Sequence, residues 1–296
     1  MEIGKVKLVS HCPACESERH ERRVVMDDSR RERYRNFSEI KYGGLIDDWI
    51  TQLQPEIVAC LDCGHHWYLR QPSSEQLSLM YASGRRLLSG AVLQEPTKEM
   101  LAEMQRLLKL TGKVQPQLLD FGSGFGRWAR AAARAGFRVH AYEPCEARGA
   151  DKPLDEFILV HNLSKIAGTR FDAINLEQVL EHVRDPSETL DIISSFITED
   201  TVLRIRVPNL LRPPEGASIW TDWPYDGKRV HAMAPFEHLH GFTPSSLVNL
   251  IKRSGYELLP LKKIWRNYTS LSIRNLVGKV YPKAAQTMVL AKLKKN

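Results

Sequence analysis

No stretch of this chain reaches the roughly 18 to 20 consecutive apolar residues that would span a bilayer, because charged or polar residues break every hydrophobic run. No membrane crossing is expected. Met1 to Ser10 lack the apolar core and small-residue cleavage site of a secretory leader. The cytoplasm is therefore the expected compartment and disulfides are not expected. Internal repeats and low-complexity tracts are absent, and so is a disordered composition: 43% of the 296 residues are hydrophobic and 26% charged, as in ordinary folded chains. The length suits one large α/β domain, or a mid-sized domain with a smaller companion.

Charge of one sign is only mildly in excess, 42 basic against 35 acidic residues. Two segments concentrate it. Leu258 to Asn296 holds nine Lys or Arg and no acid, and Arg19 to Arg35 holds seven Arg against four acids. Nucleic acid, anionic lipid or a phosphorylated substrate would each suit such segments, and so would a plainly solvated surface.

Cysteine is scarce, five in all, yet four fall into two pairs: Cys12-Pro13-Ala14-Cys15 and Cys60-Leu61-Asp62-Cys63. Two C-x-x-C turns deliver the four thiolates of a tetrahedral zinc site. The 44 residues between the pairs exceed a usual zinc-ribbon spacing, so the Arg-rich stretch is expected as an insertion between two knuckles. A redox C-x-x-C normally stands alone beside a βαβ unit, and these do not. His65 and His66 are the alternative ligands.

Residues 1–72 thus read as a zinc module, with short strands at Val6 to Val9, Ile57 to Ala59 and His66 to Leu69. Residues 73–116 read as connecting helices, Ser74 to Tyr81 and Thr97 to Leu110, the second with Met100, Leu101, Met104, Leu107 and Leu108 at helical spacing. Residues 117–296 change pattern. A strand (LLDF), a glycine turn, a helix from Arg127 to Ala135 and a strand from Arg138 to Tyr142 make a βαβ unit. Further strands are expected at Phe157 to Val160, Phe171 to Leu176, Thr201 to Val207, Tyr256 to Lys262 and Thr287 to Leu293, with helices at Glu181 to Phe196 and Ser245 to Ser254. The alternation predicts an α/β fold, a seven-stranded, mostly parallel, Rossmann-like sheet that binds ligands at the carboxyl ends of its strands.

The glycine turn is Asp120-Phe-Gly122-Ser-Gly124-Phe-Gly126. A dinucleotide loop needs its third glycine one residue later, where Arg127 stands. Glu143 ends the next strand, where a carboxylate accepts hydrogen bonds from ribose hydroxyls. This D-x-G-x-G-x-G spacing, followed by FDAINLEQVLEHVRDPSETL, TVLRIRVPN and EHLHGFTPSSLVNLIKRSGYELLPL, resembles the class I S-adenosylmethionine-dependent methyltransferases over about Gln117 to Asn296. The resemblance implies that Asp120, Gly122, Gly124 and Gly126 line the methionine end of the cofactor, Glu143 its ribose, Asn162 and Leu163 its adenine, and that Gln178 lies near the sulfonium.

The tetrapeptide Asn175-Leu176-Glu177-Gln178 lacks the [ND]-P-P-[YF] pattern of amino-nitrogen methylation, and no Pro-Cys pair is present there for attack on a pyrimidine. The chain is most similar to bacterial methyltransferases that join a four-cysteine zinc module to this core, including enzymes acting on nucleotide-linked deoxysugars. Where those carry Y-H-E-H, this chain has Pro235-Phe236-Glu237-His238, keeping the Glu and second His and losing the Tyr and first His. The resemblance implies His238 as proton acceptor oriented by Glu237, with His182 as a second base or a cofactor gate. His240 and Tyr225 are weaker candidates. Trp220, Trp223 and Tyr225 suit a lid over a ring substrate or its ordinary packing, and Cys145 suits a small buried thiol. The expected acceptor is a small molecule, a nucleotide-linked or lipid-linked sugar. The competing expectations are an RNA-directed enzyme that grips phosphate through the zinc module and basic segments, and a non-catalytic homologue, against which the intact glycine loop and Glu143 argue.

Overall fold

The computed structural model describes residues 6–83, 95–146, 155–211, 220, 223–224, 231–259 and 286–294. In chain order, β1 (Lys7–Leu8), β2 (His20–Val25), α1 (Asp28–Tyr42), α2 (Asp47–Leu53), β3 (Glu56–Cys60), β4 (His66–Tyr68) and β5 (Arg70–Gln71) lead through α3 (Ser74–Ser83) and α4 (Lys98–Thr111) into the larger sheet. There follow β6 (Gln117–Phe121), α5 (Arg127–Ala135), β7 (Arg138–Tyr142), β8 (Ile158–Val160), β9 (Phe171–Glu177), α6 (Pro186–Ser194), β10 (Ile197–Pro208), β11 (His240–Gly241), α7 (Pro244–Arg253), β12 (Tyr256–Leu258) and β13 (Gln286–Leu293).

Seven strands form one sheet in the order β12-β13-β10-β9-β6-β7-β8. The pairs from β10 to β8 are parallel, and β13 runs antiparallel to both of its neighbours. Strand alternation sends successive side chains to opposite faces, and the core divides accordingly. Leu119, Ile174, Leu203, Ile205 and Val289 face a cluster with α6, α7 and the cysteine pairs. Leu118, Ala173, Val202, Met288 and Leu290 face α4 and α5. Helix α4 lays Met100, Met104, Leu107 and Leu110 on this second face and starts at Thr97, whose side chain accepts from the Met100 amide.

Two expected boundaries shift. The helix expected from Glu181 begins at Pro186, because Asp185 caps it by accepting from the amides of Ser187 and Glu188, which leaves residues 181–185 as a turn. The strand expected to reach Lys262 ends at Leu258, and most of the basic carboxyl-terminal segment lies outside the described residues. The Arg-rich insertion holds β2, α1 and α2. Its helices bury Tyr34, Trp49 and Ile50 against Trp223, Met233 and Phe236 from the loop before β11. Strand β11 pairs with β4, closing a second sheet of order β11-β4-β3-β2. The amino-terminal residues and the loop after β10 are therefore built into one another.

Candidate active site

The glycine loop joins β6 to α5, and all three glycines have positive φ, +73° at Gly122, +54° at Gly124 and +72° at Gly126, a region L side chains disfavour. Their surroundings differ. A Cβ on Gly122 would meet Val179 Cγ2 at 2.8 Å and one on Gly126 would meet Phe157 Cζ at 2.6 Å, whereas one on Gly124 would meet nothing within 4 Å. Open space thus lies over Gly124. The Glu143 carboxylate accepts from the Gly124 amide at 2.9 Å and from the Cys145 amide at 3.0 Å, so the end of β7 braces the loop. Ser123 Oγ and Gln178 Nε2 are buried near this loop without a hydrogen-bond partner among the described residues. A ligand carrying an amino acid group would satisfy such atoms, so the cradle fits the cofactor expected from the sequence.

Beneath the loop, on the α4 face, runs a chain of polar contacts. Asn175 Nδ2 donates to Asp120 Oδ1 at 2.7 Å, and fully buried Arg204 donates to Asn175 Oδ1 at 2.6 Å, to Glu177 at 2.8 Å and to Glu103 at 2.9 Å. Trp128 lies under the guanidinium groups of Arg204 and Arg206 at 4.7 and 4.9 Å. Burial pushes the Asp120 carboxyl up to about 7, against the Asn175 hydrogen bond that favours its ionised form. Asn162 is exposed and accepts from the Ser164 amide at 2.9 Å, starting the short helical turn Leu163–Ile166.

Across the carboxyl end of β9 the site is built from side chains. Gln178 (φ +54°) and Phe236 (φ +67°) adopt left-handed backbone that bulky residues avoid. They precede His182 and His238, whose rings meet edge to face at 4.5 Å between centroids. His182 Nδ1 lies 2.6 Å from the Glu237 carbonyl and 3.2 Å from Tyr81 Oη. His238 Nδ1 lies 2.7 Å from the Ala232 carbonyl. Carbonyl oxygens only accept, so each Nδ1 carries its proton and each Nε2 the lone pair. Burial holds the His238 imidazole below its usual range. Close to both, Glu181 is 1% exposed, neither of its oxygens has a hydrogen-bond partner among the described residues, and burial pushes its carboxyl up to about 8. Glu181 was not among the residues expected at the site, and its place beside His182 in VLEHV was the one signal for it. The His182 amide bonds to the Val179 carbonyl at 2.9 Å, and Val179 packs over Gly122, so the two halves of the site adjoin.

Glu237 departs from its expected place. Its carboxylate accepts from Lys41 Nζ at 2.7 Å and Tyr42 Oη at 2.8 Å, and the partner of the His238 imidazole is the Ala232 carbonyl instead. His240 is buried against His65, with Nε2 of His65 and Nδ1 of His240 3.2 Å apart, and its amide bonds to the Glu181 carbonyl at 3.1 Å. Trp223 is fully buried and donates to the Met233 carbonyl at 2.7 Å. Trp220 stacks on His66 at 5.4 Å, and Tyr225 lies outside the described residues. Cys145 is half-buried rather than buried.

The two cysteine pairs converge. Sγ of Cys12 lies 3.5 Å from that of Cys63, Sγ of Cys15 lies 3.5 Å from that of Cys60, and all four fall within 4.8 Å of one another. A tetrahedron with arms of about 2.3 Å has edges of about 3.8 Å, so the set fits zinc. Glu16 (φ +64°) and Gly64 (φ +71°) turn the chain after each pair. His65 and His66 stand outside the cluster, the latter bonded to the Gly64 carbonyl at 3.0 Å. Thr243 and Ser245, at the start of α7, donate to the Cys63 carbonyl at 3.3 and 3.0 Å.

The family model of the methyltransferase domain matches residues 93–261, more than half of the chain. No curated protein matches the sequence significantly. Among solved structures, an S-adenosylmethionine-dependent methyltransferase from Aquifex aeolicus is 14% identical, with 68% of this chain and 95% of that one covered and a TM-score of 0.45. The CcbJ methyltransferase of Streptomyces caelestis is 12% identical, with 68% and 91% covered and a TM-score of 0.45. The 1,6-didemethyltoxoflavin-N1-methyltransferase of Burkholderia thailandensis is 18% identical, with 82% and 96% covered and a TM-score of 0.46. Such distant likenesses name no substrate for this chain. On the family match, the chain belongs to the methyltransferase-domain family and is an S-adenosylmethionine-dependent methyltransferase.

Proposed function

We propose that the enzyme methylates a hydroxyl or a carbon acid of a small molecule, a sugar or sugar-containing metabolite, with His238 as the proton acceptor. The observation that carries this reading is the fixed tautomer of His238: with Nδ1–H held by the Ala232 carbonyl, Nε2 is the basic nitrogen, and it stands beside His182 in a loop adjoining the glycine cradle. In-line displacement at a sulfonium needs the nucleophile aligned and its proton removed. Gly124 and Glu143 would hold the methionine and ribose parts of the cofactor, Asp120 and Gly126 would keep the loop in shape, and Asn162 and Leu163 would border the adenine. Each Glu143 oxygen accepts one loop amide and keeps a lone pair for a ribose hydroxyl.

The reading of an RNA substrate draws less support. Six of the seven arginines between Arg19 and Arg35 pair with carboxylates of this same chain, so that segment is a compensated surface rather than a bare phosphate grip. Incubating fractionated metabolites or RNA with isotopically labelled cofactor, and following the label by mass spectrometry, separates the two. Label in a small polar metabolite is expected, and label in RNA with steeply salt-dependent binding would reverse the order.

Structural zinc at Cys12, Cys15, Cys60 and Cys63 belongs to the same proposal. At least one zinc per chain is expected on metal analysis, and Cys12→Ser with Cys60→Ser should lose one equivalent and several kcal/mol of stability, read by thermal unfolding.

A further inference from the structure

The Glu181 carboxylate is the feature the proposed methyl transfer leaves unused. It is a buried anion-forming group with neither oxygen hydrogen-bonded among the described residues, an arrangement that is costly unless something cationic or protic occupies the space beside it. Two imidazoles adjoin it. One oxygen of Glu181, one ring nitrogen of His182 and one of His238 all fall within 4.8 Å of one another, with Glu181 Oε1 4.0 Å from His182 Nε2. Both imidazoles are held by backbone carbonyls through Nδ1. That arrangement fixes the tautomer and aim of metal-binding histidines and raises the basicity of the other nitrogen. Bonds of about 2.1 Å to a first-row ion would place the three donor atoms about 3.0 to 3.5 Å apart, so the side chains need to close by about an ångström.

We infer that Glu181, His182 and His238 form a second metal site, distinct from the four cysteines, which takes one divalent first-row cation in a two-imidazole, one-carboxylate set. Mixed nitrogen and oxygen donors select ions of the zinc, cobalt and manganese type over calcium or magnesium, which prefer all-oxygen sites. Three protein ligands leave coordination positions open, and at the acceptor end of the cleft these positions suit a molecule offering two adjacent oxygens, such as a vicinal diol or a hydroxy ketone. The inference rests on reading this end of the cleft as the acceptor site. An ion on His238 Nε2 would take the lone pair that otherwise accepts the proton, so the ion-loaded site and His238 as base exclude one another, and the two are tested apart.

The test is a titration with Co2+ of the full-length protein carrying one equivalent of zinc at the cysteines, followed by its visible absorption. One cobalt per chain is expected in a band typical of nitrogen and oxygen ligands, without the intense near-ultraviolet charge transfer that cobalt bound to thiolate gives. His182→Ala, which alters a partly exposed ring, and Glu181→Gln, which keeps the side chain's shape, should each weaken cobalt binding at least tenfold while circular dichroism stays as in the parent. Added acetohydroxamate, a two-oxygen chelator, should shift the band by entering the open positions. Absence of a cobalt band, a band with thiolate charge transfer alone, or affinity indifferent to both variants in folded protein would overturn the site. An unshifted band with acetohydroxamate would overturn its role in holding an acceptor. Methyl transfer by chelator-treated protein tests the base reading separately: turnover that persists without cobalt and falls in His238→Ala supports the base whatever the titration gives.

Discussion

The two halves of the candidate site are made of different material. The proposed cofactor end is mostly backbone: a glycine turn between β6 and α5, a carboxylate braced on loop amides, and open space where a Cβ on Gly124 would lie. The proposed acceptor end is side chains, His182, His238 and Glu181, delivered by two segments with left-handed residues and packed beside the helices of the amino-terminal insertion. Backbone sites depend on a few glycines close in sequence. Side-chain sites depend on tertiary contacts that hold each rotamer. The difference teaches that a family resemblance reaches the cofactor end first and the acceptor end last.

Separating the two ends by mutation sharpens this comparison. The largest effect is expected from His238→Ala, which should lower turnover about 10²- to 10⁴-fold with cofactor affinity unchanged, measured by steady-state kinetics and calorimetry. Gly124→Val should do the reverse. Its side chain enters open space, so the fold should lose no more than about 1 to 2 kcal/mol for the left-handed backbone, while cofactor affinity drops about 10²-fold or more. A folded variant of unchanged affinity would place the cofactor elsewhere.

Asp120→Asn probes the floor of the cofactor end through pH. An unfolded aspartate titrates at 3.8 and the buried one at about 7. Below about pH 4 both states hold the proton and Asp120 contributes nothing. As pH rises to about 7, only the folded state still holds it, so stability falls with pH, and the full penalty is present above 7. The asparagine variant should lack this decline. Measured against the parent, it should gain about 4 kcal/mol between pH 4 and pH 8, as read from urea unfolding, on top of a pH-independent cost for its unpaired amide. The smallest effect is expected from Glu237→Gln, which loses a half-exposed ion pair with Lys41. A few-fold change in turnover and under about 1 kcal/mol in stability would mark Glu237 as a support of its loop. A loss as large as that of His238→Ala would restore it as the group that orients the base.

Most of the α/β core was legible because it is local. The helix Arg127 to Ala135 and the strand Arg138 to Tyr142 form as read, since alternation and glycine punctuation act over a few residues. The turn at residues 181–185 was misread as helix, because apolar spacing there continues past the point where Asp185 begins the helix. The insertion gave little away: its charge suggested an anionic partner, and its buried residues, Val24, Tyr34, Ile46, Trp49 and Leu53 among them, are interleaved with charged ones so that no sustained apolar period discloses the face they form.

The sequence by itself determined the glycine loop, the alternation that builds the seven-stranded sheet, and the pairing of cysteines into two turns, because each is written in residues adjacent along the chain. Only the tertiary structure decided what Glu237 touches, with Tyr42 lying 195 residues away, that the Ala232 carbonyl fixes His238, and that Glu181 is buried with no hydrogen-bond partner among the described residues. Hydrogen bonds and desolvation depend on which groups meet in space, and a chain folded on itself brings together groups whose separation along the sequence carries no periodic signal.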